Sequence, residues 1–296
     1  MQAGRAPGFS PLLEGEEPSS RPGVDWVNAS FIVGGHLVAL GALIYVLAMP
    51  VSWWSVALGP IFFVACGIGV TAGYHRLFAH RAYQARAPLR FLLLLFGAGS
   101  VQNSALKWSS DHRRHHAHTD TDEDPYNIRR GLLWAHIGWV FFKGRGVDER
   151  TVRDLRSDKL VVWQDRYYVP LAVFTVLVLP FCLGLLWGDP VGAMLIGGVI
   201  RLVVQWHATF AINSVAHAFG TRPYDPESTA RDSVLMAIAS LGEGYHNFHH
   251  RYPSDYRNGP RLRDFDPTKW LIWTAARLGQ ASSLRRTPRE RLVRVR

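Results

Sequence analysis

Residues 53–80 read WWSVALGPIFFVACGIGVTAGYHRLFAH, an apolar run that ends in two histidines. The apolar part reaches about Gly73, so at 1.5 Å per residue it is long enough to cross a hydrocarbon core of ~30 Å. The first basic side chains, His75 and Arg76, come where the run ends. This stretch therefore predicts a membrane-spanning helix that carries histidine to one face of the membrane.

Three other apolar runs have a similar length. One, roughly 27–49, precedes the quoted stretch across a short break at 49–52, and two more, roughly 168–187 and 191–213, flank a break at 188–190. Both breaks are short and contain proline, so each pair of runs is predicted to form a helical hairpin. The sequence predicts an all-α membrane protein with four transmembrane helices in two hairpins and a helical cytosolic cap that carries the histidine boxes.

The distribution of Lys and Arg orients these helices. The hairpin tips contain neither, whereas the segment 74–167 holds sixteen of the 33 basic residues and the chain after 217 holds fourteen. By the positive-inside rule, both termini and the active site are predicted to be cytoplasmic in a multi-pass membrane protein. The expected membrane is the bacterial inner membrane rather than the endoplasmic reticulum. The run 89–106 is predicted to lie half-buried along the membrane face, because its second half is too polar to face lipid.

Composition excludes several other classes of protein. The two cysteines, Cys66 and Cys182, both lie in apolar runs, which excludes a disulfide framework, a CxxC zinc site and a built-in rubredoxin-type electron donor. The net charge of +10 raises the question of nucleic acid. Because the basic residues are spread over loops and tails, anionic membrane lipid or a phosphate-bearing substrate is the better match, and no nucleic-acid partner is expected.

Three regions are predicted along the chain. Residues 1–24 are polar and rich in Pro, Gly and Glu, which is typical of a disordered N-terminal tail. Residues 25–280 contain the apolar runs and the histidine motifs, and are predicted to form one membrane domain. Residues 281–296 are predicted to be a basic C-terminal tail.

Nine of the thirteen histidines stand in four short motifs beside the predicted membrane face: HRLFAH, HRRHH, NSVAH and HNFHH. In H-x-x-H-H, positions i, i+3 and i+4 share one helical face, and Asn213 and His217 have the same i, i+4 relation. His75 and His80 are five residues apart, which a regular helix separates by about 140°. These two are predicted either to serve different metals or to lie in a helix that is distorted at its end.

Nine imidazoles exceed the need of one metal ion. Divided between two ions, they give each ion four or five nitrogens and leave room for water or O2. Imidazole suits iron, zinc and copper, and the lack of nearby thiolates argues against a structural zinc or an iron–sulfur cluster. A pair of redox metals at a membrane face suggests oxidation of an unreactive, apolar substrate. The carboxylates expected to orient the imidazoles are Asp111, Asp120, Asp122, Asp124 and Glu243.

Four histidines outside these motifs are interpreted as packing or surface residues. They are His36, His118, His136 and His207.

Four stretches resemble the acyl-CoA Δ9 (stearoyl-CoA-type) desaturase family in order and spacing, and the likeness covers roughly residues 30–275. They are GVTAGYHRLFAHRAYQAR, DHRRHHAHTDTDEDPYNIRRGLLWAHIGW, NSVAHAFGTRPYD and GEGYHNFHHRYPSDYRNG. The resemblance implies an O2-dependent desaturase that introduces a cis double bond, at Δ9, into a long-chain saturated fatty acyl thioester. It also implies two iron ions (Fe2+), with O2 as co-substrate. The implied ligands are His75, His80, His112, His115, His116, Asn213, His217, His246, His249 and His250.

The resemblance also implies where the substrate lies. Members of the family hold the acyl chain in a bent tunnel, and a small residue on the second span, here Gly67, admits a long acyl tail. The tunnel-bend positions correspond to Gln102, Trp108 and Thr209, and those at the CoA end to Asn103, Asp111 and Lys143.

The acyl carrier has more than one candidate. Ser110 and Gly144 stand where animal members of the family carry Arg and Lys, so the phosphates of CoA lose two cationic contacts of the kind that bind phosphate. An acyl-carrier protein or a lipid ester is therefore the alternative to long-chain fatty acyl-CoA.

The protein is expected to need an external electron donor, and two alternative functions stay open. The donor is expected to be a separate protein of the ferredoxin, cytochrome b5 or NAD(P)H reductase type. The first rival is a related membrane diiron lipid or alkane hydroxylase, which shares the metal chemistry. The second is a non-enzymatic membrane metal or haem carrier, although transporters place their polar sites near the membrane midplane and these histidines cluster at one face.

Overall fold

The computed structural model describes residues 23–292, which are almost entirely helical. Two short strands, β1 (Gln84–Ala85) and β2 (Ala281–Ser282), pair antiparallel. In chain order the helices are α1 (Trp26–Ala48), α2 (Trp53–Ala79), α3 (Ala87–Ala98), α4 (Ala105–His118), α5 (Leu132–His136), α6 (Arg153–Arg156), α7 (Lys159–Arg166), α8 (Tyr168–Trp187), α9 (Pro190–Ala218), α10 (Val234–Ala239), α11 (His246–Arg251) and α12 (Pro267–Arg277). Short 3-10 turns cover Ile128–Arg130, Gly138–Phe141 and Arg289–Arg291.

Four of these helices, α1, α2, α8 and α9, are long and apolar enough to cross a membrane, which confirms the predicted fold class. Capping side chains fix where they begin: Asp25 accepts a hydrogen bond from an early backbone N–H of α1, and Ser52 does the same for α2. Asp189 caps α9 and also accepts from the Ser52 backbone N–H at 2.9 Å, so the two hairpin tips contact each other. The predicted starts lie within about a residue of these, whereas α2 and α9 continue further than predicted.

The fourth span, α9, is the centre of the bundle. It packs against α2 and α8, and α1 also packs mainly against α9 rather than along its sequence neighbour α2. The first hairpin is therefore joined at its tip but open along its length. Most apolar side chains of α1 remain exposed, which is what a helix that faces lipid requires.

Three of the spans contain π-helical segments, in which the backbone bonds run from i to i+5. They cover Gly69–Ala79 in α2, Phe174–Val178 in α8 and Leu195–Ile200 in α9. The segment in α2 lies against α3 at a glycine, since a Cβ at Gly69 would stand 2.3 Å from the backbone nitrogen of Gly97. Glycine is needed at this contact because it lets two helix backbones approach closely.

The remaining helices form a cap over one end of the bundle. Within it, Arg113 on α4 donates to the carbonyl oxygens of Phe78 at 2.7 Å and Ala79 at 2.9 Å, and its guanidinium also pairs with Asp154 on α6. These bonds satisfy carbonyl groups at the end of α2 that have no partner within the helix. One arginine thus holds α2, α4 and α6 together.

Both terminal regions make defined contacts at their inner ends. Gly23 and Val24, predicted to be part of the N-terminal tail, bond to Lys143 and Phe142, while residues 1–22 lie outside the described residues. In the region predicted as a C-terminal tail, β2 pairs with β1, and the Arg285 backbone N–H donates to Ala82 at 2.9 Å. Residues 281–287 therefore pack on the cap, while the predicted domain boundary at 280 stays a prediction.

Helix α3 covers the apolar half of the run 89–106. It has twelve residues and packs against the π segment of α2 and against α8. At 1.5 Å per residue, twelve residues span about 18 Å, which is too short to cross a hydrocarbon core. This packing agrees with a half-buried helix, while its position along the membrane face stays a prediction.

Candidate metal centre

Nine histidines converge under the cap in two groups. Within each group, the ring nitrogens that could bind a metal lie within 4.8 Å of one another. The larger group draws on α2, α4, α11 and the residue after α2, and the smaller group on α4, α9 and α11. Both are buried or nearly so. The first group contains His75, His80, His112, His116 and His249, and the second contains His115, His217, His246 and His250.

The π segment explains how His75 and His80 come together. A π-helix pairs residue i with residue i+5, and the His80 backbone N–H donates to the His75 carbonyl at 3.0 Å. Their rings lie 4.8 Å apart, centroid to centroid, within the same group. Of the two alternatives raised by their spacing, the structure agrees with the distorted helix and not with service to different metals.

In the other motifs, histidines at positions i, i+3 and i+4 point toward the centre from one side of their helix, as their spacing predicts. On α4, His112 and His116 are one turn apart and enter the first group, while His115 turns toward the second. On α11, His249 joins the first group, and His246 and His250 join the second. Each of these two helices therefore supplies imidazoles to both groups, which brings the groups side by side.

The ring nitrogens have more nitrogen neighbours than their N–H groups can satisfy by hydrogen bonds. His249 Nε2 lies 3.0 Å from both His75 Nε2 and His116 Nε2, and His246 Nε2 lies 3.1 Å from both His217 Nε2 and His250 Nε2. A neutral imidazole carries only one N–H, so several lone pairs face each other. Nitrogens bound to one ion at about 2.0–2.1 Å have a similar separation, so the donor set fits a pair of imidazole-bound transition metals.

Outer partners fix the tautomers that this arrangement needs. His75 Nδ1 contacts Glu243 at 2.7 Å and His115 Nδ1 contacts Asp124 at 2.8 Å, so each group has one imidazole backed by a carboxylate. His217 Nδ1 contacts the Thr229 hydroxyl at 2.7 Å. These contacts use the proton on Nδ1 and leave Nε2 free to bind a metal.

Of the five carboxylates expected to orient the imidazoles, three do so, either directly or through a hydroxyl group. Glu243 and Asp124 do so directly, and Asp120 does so through Thr229, whose hydroxyl donates to it at 2.8 Å. Asp111 accepts from Lys107 and Arg114 instead, and Asp122 is exposed. Thr229 was missed because nothing in the sequence links it to His217, which lies twelve residues earlier.

Burial keeps the imidazoles uncharged, whereas neighbouring side chains keep the carboxylate of Glu243 charged. Desolvation lowers the pKa of His80, His112 and His249 well below the ordinary histidine value, and neighbouring histidines lower it further. Burial alone would raise the pKa of Glu243, but His75 and Arg76 lower it to about 2. Neutral nitrogens beside a fixed negative charge favour a bound cation.

A cavity runs from this centre into the bundle between α2 and α9. Its walls are mostly apolar away from the histidines, and the loop after α10 closes one side through Leu241. Leu241 has a φ of 57°, a strained conformation for a residue other than glycine. The other residues that line the cavity away from the histidines include Phe63, Gly67, Val70, Trp108, Gln205, Thr209 and Ile212.

The predicted substrate residues fall into two sets. Gly67, Trp108 and Thr209 line the cavity, as does the predicted ligand Asn213, and Gln102 donates to the Thr209 hydroxyl at 2.9 Å from the side. Trp108 also stacks on His112, with ring centroids 4.7 Å apart. The residues predicted for the CoA end are absent from the cavity wall: Asn103, Asp111 and Lys143.

Comparison with known proteins agrees with this architecture. A sequence model of the family described as fatty acid desaturase matches residues 51–264. The chain is 42% identical over 269 residues to a probable acyl-CoA desaturase of Schizosaccharomyces pombe, covering 90% of this chain and 55% of that protein. It is 38% identical to the delta(9)-fatty-acid desaturase fat-6 of Caenorhabditis elegans, covering 86% and 77%, and 35% identical to stearoyl-CoA desaturase 5 of Bos taurus, covering 91% and 82%. The chain thus spans little more than half the length of the S. pombe protein.

Proposed function

Since the chain belongs to the fatty acid desaturase family, we propose that it is an O2-dependent oxidoreductase that introduces a cis double bond, at Δ9, into a long-chain saturated fatty acyl thioester. The observation that supports this most is the meeting of two groups of buried imidazoles with a largely apolar cavity. Such a cavity suits an alkyl chain, and the imidazoles lie at the point where its carbon atoms would be oxidised.

The two groups would hold two iron ions. The first would use His75, His80, His112, His116 and His249, and the second His115, His217, His246 and His250, with Asn213 nearby on the cavity wall. When bound, such ions supply the redox chemistry by which O2 takes two hydrogens from adjacent carbons. The contribution of the chain itself is to hold neutral imidazoles in place through Glu243, Asp124 and Thr229.

The position of the acyl chain in the cavity, relative to the imidazoles, would determine which carbon is oxidised. Trp108 stacks on His112, and Thr209 accepts a hydrogen bond from Gln102, so both wall residues beside the centre are positioned by defined partners. A chain held by such walls presents only the carbons that lie against the imidazoles. The apolar lining also excludes bulk water from the reacting carbons.

The acyl carrier and the electron donor rest on less direct support. The names of the relatives favour acyl-CoA, with an acyl-carrier protein or a lipid ester as the alternative. Residues Asn103, Asp111 and Lys143 are proposed contacts for the carrier, outside the cavity. A separate electron donor of the ferredoxin, cytochrome b5 or NAD(P)H reductase type would bind on the cap side. The relatives named above are eukaryotic, so they give no support to a bacterial inner membrane and favour the endoplasmic reticulum.

Fatty acid analysis of an expressing host tests the proposal. Gas chromatography is expected to show new cis-Δ9 monounsaturated chains in cells with the wild-type protein. The His249→Ala variant is expected to abolish them, because His249 Nε2 lies 3.0 Å from two other ligands. The matched control is His118→Ala, since the His118 side chain is exposed, lies beside Glu123 and belongs to neither group of imidazoles.

Other outcomes separate the rivals. Hydroxylated lipids in place of unsaturated ones would make the protein a hydroxylase. Two bound metals per chain with no altered lipid, in a host supplied with a matched reductase, would support a carrier. Full desaturation by His249→Ala would contradict the ligand assignment.

A further inference from the structure

The two groups of imidazoles have different charged side chains behind them. The ligands themselves bring no charge, because both groups offer neutral ring nitrogens, from five histidines in the first group and four in the second. Inside a protein, a charged side chain close to a bound cation changes the energy of that cation far more than the same charge does in water. The side chains behind each group therefore decide how much positive charge its ion can carry.

Behind the first group, negative charge is balanced by buried cations. Glu243 contacts His75 Nδ1 at 2.7 Å, and its other oxygen accepts from Arg76 at 2.8 Å. Arg76 also pairs with Asp266 at 3.1 Å, and the positive charge of Lys269 acts on the same carboxylate. Two carboxylates and two cations thus compensate each other on this side of the centre.

A further arginine lies at the end of α2, beside the first group. Arg113 donates to the carbonyl oxygen of Ala79 at 2.9 Å, directly before His80 in the chain. Its guanidinium pairs with Asp154, and Asp154 also pairs with Arg81 at 2.8 Å. Two arginines share one carboxylate here, so positive charge exceeds negative charge next to His80.

Behind the second group, two carboxylates lie without a basic partner. Asp124 is only 4% exposed and contacts His115 Nδ1 at 2.8 Å. Asp120 accepts from the Thr229 hydroxyl at 2.8 Å, and that hydroxyl lies 2.7 Å from His217 Nδ1. Within residues 23–292, neither carboxylate forms an ion pair with Lys or Arg. The second group therefore has uncompensated negative charge behind two of its four imidazoles.

The backbone keeps these two carboxylates near each other. Asp120 has a φ of 66°, a conformation that Asp and Asn adopt more readily than most residues, and its N–H donates to the Asp124 carboxylate at 3.1 Å. Like charges without a cation between them repel. An ion bound by the second group relieves this repulsion, and Fe3+ relieves it more than Fe2+ does.

We propose that the two iron positions are unequal, and that the ion in the second group is the one oxidised first. Loss of one electron from two Fe2+ ions then leaves Fe3+ in the second group and Fe2+ in the first, and the electron passes to an external one-electron oxidant. Asp120 is a positioning residue in this scheme, because it acts through Thr229 and His217. The inference rests on the proposed function, which requires the two iron ions.

A redox titration of the purified full chain, loaded with two Fe2+ ions in the absence of O2, tests the order of oxidation. With ferricyanide as the oxidant, the wild type is expected to show two separate one-electron steps. An EPR signal is expected between them, because a pair of one Fe2+ and one Fe3+ has an odd number of electrons.

The Asp120→Asn variant removes one charge behind the second group and little else. Asn can still accept from Thr229 and tolerates the same positive φ. We expect it to disfavour the first oxidation about tenfold, which raises the potential of a one-electron step by about 59 mV. The second step should shift less, because its ion lies in the other group.

Two further variants complete the test. Asp122→Asn is the matched control, since it removes the same charge from an exposed side chain two residues away, where solvent and salt screen it. It should leave both potentials unchanged. Glu243→Gln removes the charge behind the first group and is expected to raise the second potential more than the first. Either Asp120→Asn or Glu243→Gln decides the order of oxidation if the other does not retain iron.

Several results would overturn the inference. They are a single two-electron step in the wild type, a shift of the second step in Asp120→Asn that equals or exceeds that of the first, and an Asp122→Asn shift as large as that of Asp120→Asn. Any of these in a protein that still desaturates acyl chains would leave the proposed function standing. Binding of fewer than two iron ions by the wild type would overturn both.

Discussion

Among single residues, Gly67 has a direct effect on the width of the cavity. A Cβ at this position would stand 2.5 Å from Leu241 Cδ1 and 3.1 Å from Gln205 Nε2, both on the cavity wall. The glycine therefore keeps open a passage between α2, α9 and the loop after α10. Its lack of a side chain is a feature of the cavity as well as of helix packing.

We predict that Gly67→Leu shifts the product profile toward shorter chains. Gly67 lies eight residues, two helical turns, from His75 along α2, so a side chain there fills the cavity beyond the oxidised carbon. The wild type is expected to accept chains of about 16 to 18 carbons, if the cavity follows α2 at 1.5 Å per residue. Gas chromatography of products and the metal content of the purified variant check both expectations.

The control for Gly67→Leu is Gly34→Leu on α1, where an added Cβ meets nothing within 4 Å. It should leave the profile unchanged. Equal loss of activity on all chain lengths in Gly67→Leu would assign the glycine to packing alone. An unaltered profile would show that the acyl tail leaves the cavity elsewhere.

The residues of the site could be predicted from the sequence where histidines recur at a fixed spacing along a helix. The nine histidines were recognisable because i, i+3 and i+4 positions share a helical face, and Glu243 and Asp124 because they flank the motifs. Thr229 and Arg113 could not be predicted, because their partners are brought to them only by the fold. The contacts among His36, His136 and His207 are of the same kind, since three separate helices supply them.

Among the elements, the π segment of α2 has the largest effect on the site. The sequence shows only a continuous apolar run, which does not distinguish a π-helix from an α-helix. The i to i+5 pairing is what places His75 and His80 in one group. The contact of Gly69 with α3 holds this segment in place.

We predict that Gly69→Ala destabilises the bundle by about 1–3 kcal/mol, as overpacking usually does. The new Cβ would stand 2.3 Å from the Gly97 nitrogen and 2.7 Å from the Phe96 carbonyl carbon, and backbone atoms cannot turn aside as side chains do. Thermal unfolding in detergent measures the effect. Gly41→Ala is the control, since nothing lies within 4 Å of its Cβ, and equal Tm values for both variants would contradict the close contact.

The bond between Arg113 and Asp154 joins α4 and α6 in the cap, and it makes the stability of the cap depend on pH. Burial alone would raise the pKa of Asp154, but hydrogen bonds from Arg113 and Arg81 lower it to about 2. A depressed carboxylate pKa contributes stability above its ordinary value near 3.8, and this contribution is lost as the pH falls toward 2.

We therefore predict that Asp154→Asn lowers the Tm at pH 6 and reduces the further loss of Tm between pH 4.5 and 3. The amide cannot lose its interaction by protonation, so less remains to be lost in acid. Tm in detergent across this range is the measurement. Parallel pH profiles of the wild type and the variant would show that the bond does not contribute.

At the scale of the whole molecule, the sequence was sufficient to predict the number and order of the spans and where they begin, but not where α2 and α9 end. Hydropathy identifies an apolar helix whatever it packs against, so the four runs correspond to α1, α2, α8 and α9. It does not identify neighbours, and the packing of α1 on α9 rather than along α2 was not predictable. The same holds for residues 281–287, whose polar sequence reads as a tail although the backbone pairs with the cap.

The orientation of the molecule in the membrane is a prediction that rests on its basic residues. The cap contains most of them, so with an even number of spans the positive-inside rule predicts that both termini lie on the cytoplasmic side with the metal centre. We predict that cysteines placed at Ser19 and Ser283 react with a membrane-impermeant thiol reagent only from that side. Ser283 is exposed at the edge of the cap, whereas Ser19 lies outside the described residues.

A cysteine at Met49, in the break between α1 and α2, should react only from the opposite side, because α1 would have carried it across the membrane. The background for all three is Cys182→Ser, since Cys182 is the exposed native cysteine and Cys66 is buried. Labelling of Ser19 and Ser283 from opposite sides would require an odd number of spans. The run 89–106 would then have to cross, although α3 has only twelve residues and packs beside α2, so such a result would contradict the architecture as well as the orientation.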